Sequence, residues 1–96
     1  MFHHIVMWDF KEGVNAQDAQ KIKEALEGLK AHIPQIIELK LHINQLSYST
    51  KDAMLISQFA NEADFLTYVE NPHHKAVVGM VKELFENRVA FDYATH

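Results

Sequence analysis

The residues of this chain most suited to chemistry are two adjacent histidines, His73 and His74, which follow Asn71 and Pro72. Proline is favoured at the first position of a helix, and asparagine at the cap before it. This order predicts that both imidazoles lie in the first turn of a helix, where the positive end of the helix dipole disfavours their protonated forms. A neutral imidazole can serve as a base, a hydrogen-bonding group or a metal ligand. The alternative is a pair that is simply exposed to solvent.

The hydrophobic pattern predicts the elements that position these residues. Apolar residues alternate with polar ones in half-buried strands and recur every three or four residues in helices. On this basis we predict a strand over residues 2–10, a helix over 16–32, strands over 36–46 and 53–59, a short helix capped by Asn61, a helix over 72–85 and a strand over 88–93. The first and third strands are apolar on both faces, which is typical of strands inside a sheet.

The predicted order β-α-β-β-α-β is that of the ferredoxin-like fold, which is an α+β protomer. Right-handed crossovers place both helices on one face of a four-stranded antiparallel sheet. The other face is left bare, although the first and third strands are apolar there too. Because a large apolar patch is unfavourable in water, we expect a homodimer in which a second copy packs sheet on sheet.

Composition narrows the class of protein. The 96 residues carry a net charge of −4 and no basic run, so we expect one domain over residues 1–96 and no nucleic-acid partner. No apolar stretch approaches the roughly 18 residues of a membrane span, so we expect no membrane partner. The lack of cysteine and of a basic N-terminal region predicts a soluble, cytoplasmic protein. The three glycines are isolated, which argues against a phosphate-binding loop, and we expect no cofactor.

Metal binding is a further possible use of the seven histidines. His3 and His4 are adjacent in a strand, so their side chains point to opposite faces and cannot share an ion. Neither adjacent pair has the i, i+4 spacing that puts two imidazoles on one face of a helix. A site would require His4 and His74 to meet with a carboxylate such as Asp9 or Glu70, and we expect none.

Three segments of the chain resemble the stress-responsive A/B barrel (Dabb) domains. They are HIVMWDFK at residues 4–11, FLTY followed by NPHH at residues 65–68 and 71–74, and FDY at residues 91–93. The resemblance spans essentially the whole chain, and it implies a dimeric α+β barrel whose two sheets meet through their bare faces. Most members of that family are small proteins of undefined activity, some of them tied to stress responses, and a few plant relatives act as polyketide cyclases.

The resemblance also implies site residues. The plant cyclases use His and Tyr residues in a pocket between sheet and helices, and the matching positions in this chain are His4, Tyr68 and His74. The cyclases draw a further His from the third strand, which residues 53–59 lack. In a catalytic interpretation, His74 abstracts a proton and Tyr68 or His4 stabilises the oxyanion, as in enolisation, aldol cyclisation or isomerisation. In a structural interpretation, the two histidines hydrogen-bond to each other or to Tyr68.

Four aromatic residues complete the candidate site. Trp8, Phe10, Phe59 and Phe65 are expected to bury large areas in the core, and they could also line an apolar ligand cavity. We therefore expect a small stress-responsive A/B barrel protein that binds a small apolar or aromatic ligand near the three site residues. One alternative is a cofactor-free enzyme of the cyclase, isomerase or monooxygenase type with His74 as general base. The other is a purely structural or assembly protein.

Overall fold

The computed structural model describes residues 1–96 and contains a four-stranded sheet with helices on one face. The elements are β1 (Phe2–Phe10), α1 (Ala16–Glu27), a 3-10 helix (Gly28–Ala31), β2 (Ile36–Ile43), β3 (Ala53–Phe59), α2 (Glu62–Glu70), α3 (Pro72–Leu84) and β4 (Phe85–Ala94). All neighbouring strands are antiparallel, in the order β2-β3-β1-β4. The predicted ferredoxin-like α+β arrangement is therefore confirmed.

Three predicted boundaries differ from the structure by a few residues. The first helix leaves α geometry at Gly28, and the 3-10 helix tightens its last turn before Pro34. The second strand ends at Ile43 rather than residue 46, because the Asn44 side chain accepts the N–H of Leu46 at 2.7 Å and starts a turn. The last strand begins at Phe85 rather than residue 88, because that residue still pairs with β1.

Each of the three α-helices begins at an asparagine cap, and the sequence predicts those of the second and third helices. Asn15 Oδ1 accepts a backbone N–H at 2.8 Å, and Asn61 Oδ1 does the same at 2.8 Å. Asn71 Oδ1 accepts the N–H of His73 at 2.9 Å, which fixes the start of α3 immediately after α2. These bonds satisfy donors that a helix start leaves without partners. None of the helices combines the length and the apolar character needed to cross a lipid bilayer.

The core lies between the sheet and the helices. β1 contributes Val6 and Trp8, α1 contributes Ile22 and Leu26, and α2 contributes Tyr68. The helices do not cover the whole sheet, since β4 is buried only at its first residue and exposed along the rest of its length. A gap therefore remains between the helices and the part of the sheet where β1 pairs with β4.

The other side of the sheet, the open face, carries no helix. Its apolar members are Ile5 and Met7 of β1, Met54 and Ile56 of β3, and Val89, Phe91 and Tyr93 of β4, which the strand register aligns across the sheet. The three β4 side chains are among the large hydrophobic side chains that are most exposed, with Phe91 at 66%. The bare apolar face that the strand pattern predicts is thus present.

Candidate functional site

A cavity of about 350 Å³ lies between the helix-facing side of the sheet and helices α2 and α3. The fold brings all three predicted site residues to its wall: His4 from β1, Tyr68 from α2 and His74 from α3. Most of the remaining wall is apolar. A cleft of this size, mainly apolar with a few polar groups, has the general character of a small-molecule site.

His74 is positioned by the junction of α2 and α3. Its Nδ1 lies 3.1 Å from the carbonyl oxygen of Val69. Because a carbonyl oxygen can only accept, Nδ1 carries the proton, and in the neutral imidazole Nε2 keeps its lone pair. Burial lowers the pKa of His74, and His4 lowers it further, while the hydrogen bond to Val69 acts in the opposite direction. The imidazole is therefore biased towards its neutral, basic form.

The pKa of His74 is shifted in the direction that the sequence predicts. We expected the helix dipole to disfavour the proton, and the structure adds burial as the largest cause of the shift. His73 is not part of the cavity. Its ring stacks on His32 of the neighbouring segment, with 4.5 Å between ring centroids, and both residues are exposed.

Tyr68 supplies a hydroxyl that no protein group binds. The side chain is 2% exposed, and its ring lies 4.3 Å from the His74 ring and 5.1 Å from that of Phe59, measured between centroids. Its hydroxyl makes no hydrogen bond within the protein. Every fully buried side-chain nitrogen or oxygen atom in the structure has a hydrogen-bond partner, so this hydroxyl is not fully buried and is accessible from the cavity. Burial raises the pKa of Tyr68 to about 12. The hydroxyl therefore stays protonated and is available to donate to a molecule in the cavity.

His4 is held by a residue that the sequence did not single out. Its Nδ1 donates to the carboxylate of Asp92, which lies directly opposite on β4. Phe65 packs against the other side of the ring, with 4.7 Å between centroids. Because Asp92 binds Nδ1, the ring orientation is fixed. The structural interpretation predicts the wrong hydrogen-bond partners, since no hydrogen bond joins His4, Tyr68 and His74 to one another.

The four aromatic candidates divide into two groups. Trp8 and Phe65 border the cavity. Phe59 does not, because it is fully buried in the core behind Tyr68. Phe10 does not either, because it lies beyond the end of the cavity and stacks on Phe85 at 5.0 Å between centroids. Phe10 and Phe59 therefore do not line this cavity.

The carboxylates considered as metal partners also lie elsewhere. Asp9 is bound by Lys51 and Asn87, and Glu70 forms an ion pair with Lys75 at 3.2 Å. No group of three His, Asp or Glu side chains is close enough to hold a metal ion. A larger depression of about 910 Å³ lies near the end of β2, is wide open to solvent and contains none of the three site residues.

Comparison with known proteins identifies the family. The model of the stress-responsive A/B barrel domain matches residues 2–95. The chain belongs to the Dabb family. No curated protein sequence matches this Dabb protein significantly.

Solved structures agree with the assignment. A dimeric protein of unknown function and ferredoxin-like fold from Bacteroides fragilis is 28% identical to this Dabb protein, with a TM-score of 0.84 over 98% of this chain and 95% of the other. A dimeric ferredoxin-like protein of unknown function from Thermobifida fusca is 22% identical, with a TM-score of 0.87 over 98% and 90%. The hydroxynitrile lyase of Passiflora edulis is 19% identical, with a TM-score of 0.87 over 99% and 93%. At 22% and 19% identity, the last two similarities show that these proteins share the fold of this chain.

Proposed function

We propose that this Dabb protein binds a small apolar or aromatic ligand in the cavity bordered by His4, Tyr68 and His74. The observation that carries the proposal is the Tyr68 hydroxyl, which is open to a mainly apolar cavity and forms no hydrogen bond within the protein. Because this donor is not used within the protein, a ligand carbonyl in the cavity can accept its proton and gain a hydrogen bond. A purely structural protein has no need of such a cavity, which favours ligand binding over that alternative.

Calorimetric titration with 2-naphthamide tests this proposal, because the amide offers two apolar rings and one carbonyl acceptor. We expect saturable binding with one site per chain, and binding by Tyr68→Phe that is about 2- to 10-fold weaker, the effect of one neutral hydrogen bond. Tyr48→Phe is the matched control, because Tyr48 is 80% exposed and distant from the cavity. Equal affinity of the two variants and the wild type would refute the proposed site.

A second candidate function is cofactor-free proton transfer at the same cavity. Two observations favour it: His74 has its free lone pair on Nε2 and a lowered pKa, and Tyr68 beside it keeps its proton. A base next to a hydrogen-bond donor can remove a proton α to a carbonyl while the donor stabilises the oxyanion, and Tyr68 is that donor because the Nδ1–H of His4 already binds Asp92. This chemistry covers enolisation, aldol cyclisation and isomerisation. The Passiflora lyase supports it only as an analogy of fold.

Proton exchange measures this second function directly. Acetophenone in deuterated water exchanges its methyl protons when a base removes them, and NMR follows the loss of signal. We expect His74→Ala to lower a protein-catalysed exchange rate by at least about 100-fold, which is the lower end of general base catalysis. His73→Ala should leave the rate unchanged, because this neighbouring histidine is exposed and outside the cavity. Equal rates for the two variants would remove His74 as the base.

We also propose a homodimer formed through the open face. Two proteins of similar structure are described as dimeric, and the exposed side chains of Val89, Phe91 and Tyr93 make that face an apolar surface that a second copy can cover. The same proposal includes a single domain over residues 1–96, a cytoplasmic location and a part in the stress response. The description of the family supports the last of these.

A further inference from the structure

Two cationic side chains at the cavity are not paired with any carboxylate of the protein. Arg88 of β4 and Lys82 of α3 border the cavity, and neither belongs to any of the ion pairs in the structure. Arg88 is the only arginine of the chain. A guanidinium presents several N–H groups in a planar fork that matches a carboxylate in two bonds, which a lysine cannot do.

A β-bulge directs Arg88 to the cavity side of the sheet. Met7 pairs with Val89 and Asp9 pairs with Glu86, so β4 holds one residue more than β1 between these pairs. Val89 shares the open face with Met7, and Arg88, one residue before it, is therefore on the side that faces the helices. Bulges commonly re-aim a side chain in this way.

The bulge is fastened by a polar network on the other side. Asn87 adopts a φ of +56°, in the left-handed region that asparagine tolerates better than most residues. Its Nδ2 donates to Asp9 at 3.0 Å, and its carbonyl accepts from Lys51 Nζ at 3.2 Å. The hydrogen bond from Asn87, together with Lys51, lowers the pKa of Asp9, which keeps this acceptor ionised. Arg88 is thus held on a fixed backbone rather than on a loose loop.

Two acidic residues of β4, Asp92 and Glu86, are candidates to pair with Arg88, and neither does. Asp92 is on the same face, but it is engaged by His4 and lies about 13 Å further along the strand. Glu86 also borders the cavity, yet its pairing with Asp9 assigns its side chain to the opposite face. Neither forms an ion pair with the guanidinium. An anionic ligand would therefore meet, at the mouth, a cation that forms no ion pair with the protein, and an apolar wall inside.

We infer that the ligand of this cavity carries a carboxylate, which Arg88 binds at the mouth while the apolar body lies against Trp8 and Phe65. The inference rests on the proposed function, since it names the chemical class of the ligand for the same cavity. Lys82 adds charge beside Arg88 but not the planar geometry. The carboxylate would be set at one end of the cavity, and the Tyr68 hydroxyl would remain free for a second oxygen of the ligand.

The test compares 2-naphthoate with 2-naphthamide, which have the same rings and differ in charge. We expect Arg88→Gln to weaken the binding of naphthoate about 10-fold and to leave the binding of naphthamide unchanged. Arg88→Lys should recover only part of the affinity. Lys21→Gln removes the same charge from an exposed position of α1 and should change neither affinity.

The outcomes separate this inference from the function on which it rests. If both ligands bind wild type and Arg88→Gln affects neither or both equally, the carboxylate inference is wrong and the apolar site stands. If Lys21→Gln loses as much naphthoate affinity as Arg88→Gln, the loss is caused by the change in net charge and not by a contact with Arg88, and the carboxylate inference is also wrong. If neither ligand binds wild type, both the proposed function and the inference fail. Unchanged amide spectra of each variant away from the substituted residue verify that the fold is intact.

Discussion

Replacing Tyr68 by phenylalanine removes one buried hydroxyl and keeps the ring. The packing of that ring on Phe59 and His74 is retained, and the change breaks no hydrogen bond within the protein. A broken buried hydrogen bond would cost about 1–3 kcal/mol, and that cost should be absent. The hydroxyl is instead desolvated without a protein partner, although its access to the cavity reduces the penalty. We therefore expect the free energy of unfolding to stay the same or to rise by up to about 1 kcal/mol.

Urea unfolding followed by the fluorescence of Trp8, the single tryptophan, measures this change. Wild type and variants must be compared at one protein concentration, because association shifts apparent stability. A gain of about 1 kcal/mol corresponds to roughly 4–8 °C in Tm for a domain of this size. Tyr48→Phe should change stability by less than about 0.5 kcal/mol, as exposed substitutions do. If Tyr68→Phe alone lowers the free energy of unfolding by more than about 1 kcal/mol, the hydroxyl forms a hydrogen bond within the protein and is not available to a ligand.

Three further predictions test other parts of the structure. Burial lowers the pKa of His74 below its ordinary 6.5, so the unfolded chain binds that proton first as the pH falls. Below pH 6.5, the free energy of unfolding of wild type should therefore decrease relative to that of His74→Gln. The same pH dependence of urea unfolding in both proteins would contradict this. Phe91→Glu places a charge on the open face and should convert a dimer to a monomer in analytical ultracentrifugation, whereas an unchanged mass would place the interface elsewhere. Asn71→Ala removes the cap of α3 and should cost about 1 kcal/mol in thermal unfolding; no loss would show that the cap bond to the His73 N–H is unimportant.

The fold follows from the sequence because each strand face has a distinct apolar pattern. Alternation in β1 separates His4, Val6 and Trp8 from Ile5 and Met7, and the structure buries the first set under the helices. The helix starts were equally predictable, since a side-chain cap is a local interaction. Helix and strand ends were not, because they depend on turns and on pairing with distant strands.

The candidate site is predictable only in part, because its contacts join distant segments. Asp92 meets His4 across 88 positions of sequence, and only the register of β1 with β4 reveals it. Because side chains alternate between the two faces of a strand, the sequence alone could have placed Asp92 on the face opposite to that of Phe91. Phe59 and Trp8 follow the same inward pattern and both belong to the core, yet only Trp8 also borders the cavity. How far the helices extend over the sheet sets this difference.

The central claim is that His74 and Tyr68 border a ligand site with a neutral imidazole, and NMR of the imidazole nitrogens tests it most directly. The measurement follows the His74 nitrogens against pH, in the absence and in the presence of 2-naphthamide. We predict a proton on Nδ1, a lone pair on Nε2, a titration midpoint below 6.5 and a ligand-induced shift of His74 that His73 does not share. A midpoint at or above 6.5, with His74 signals that ignore the ligand, would contradict the account.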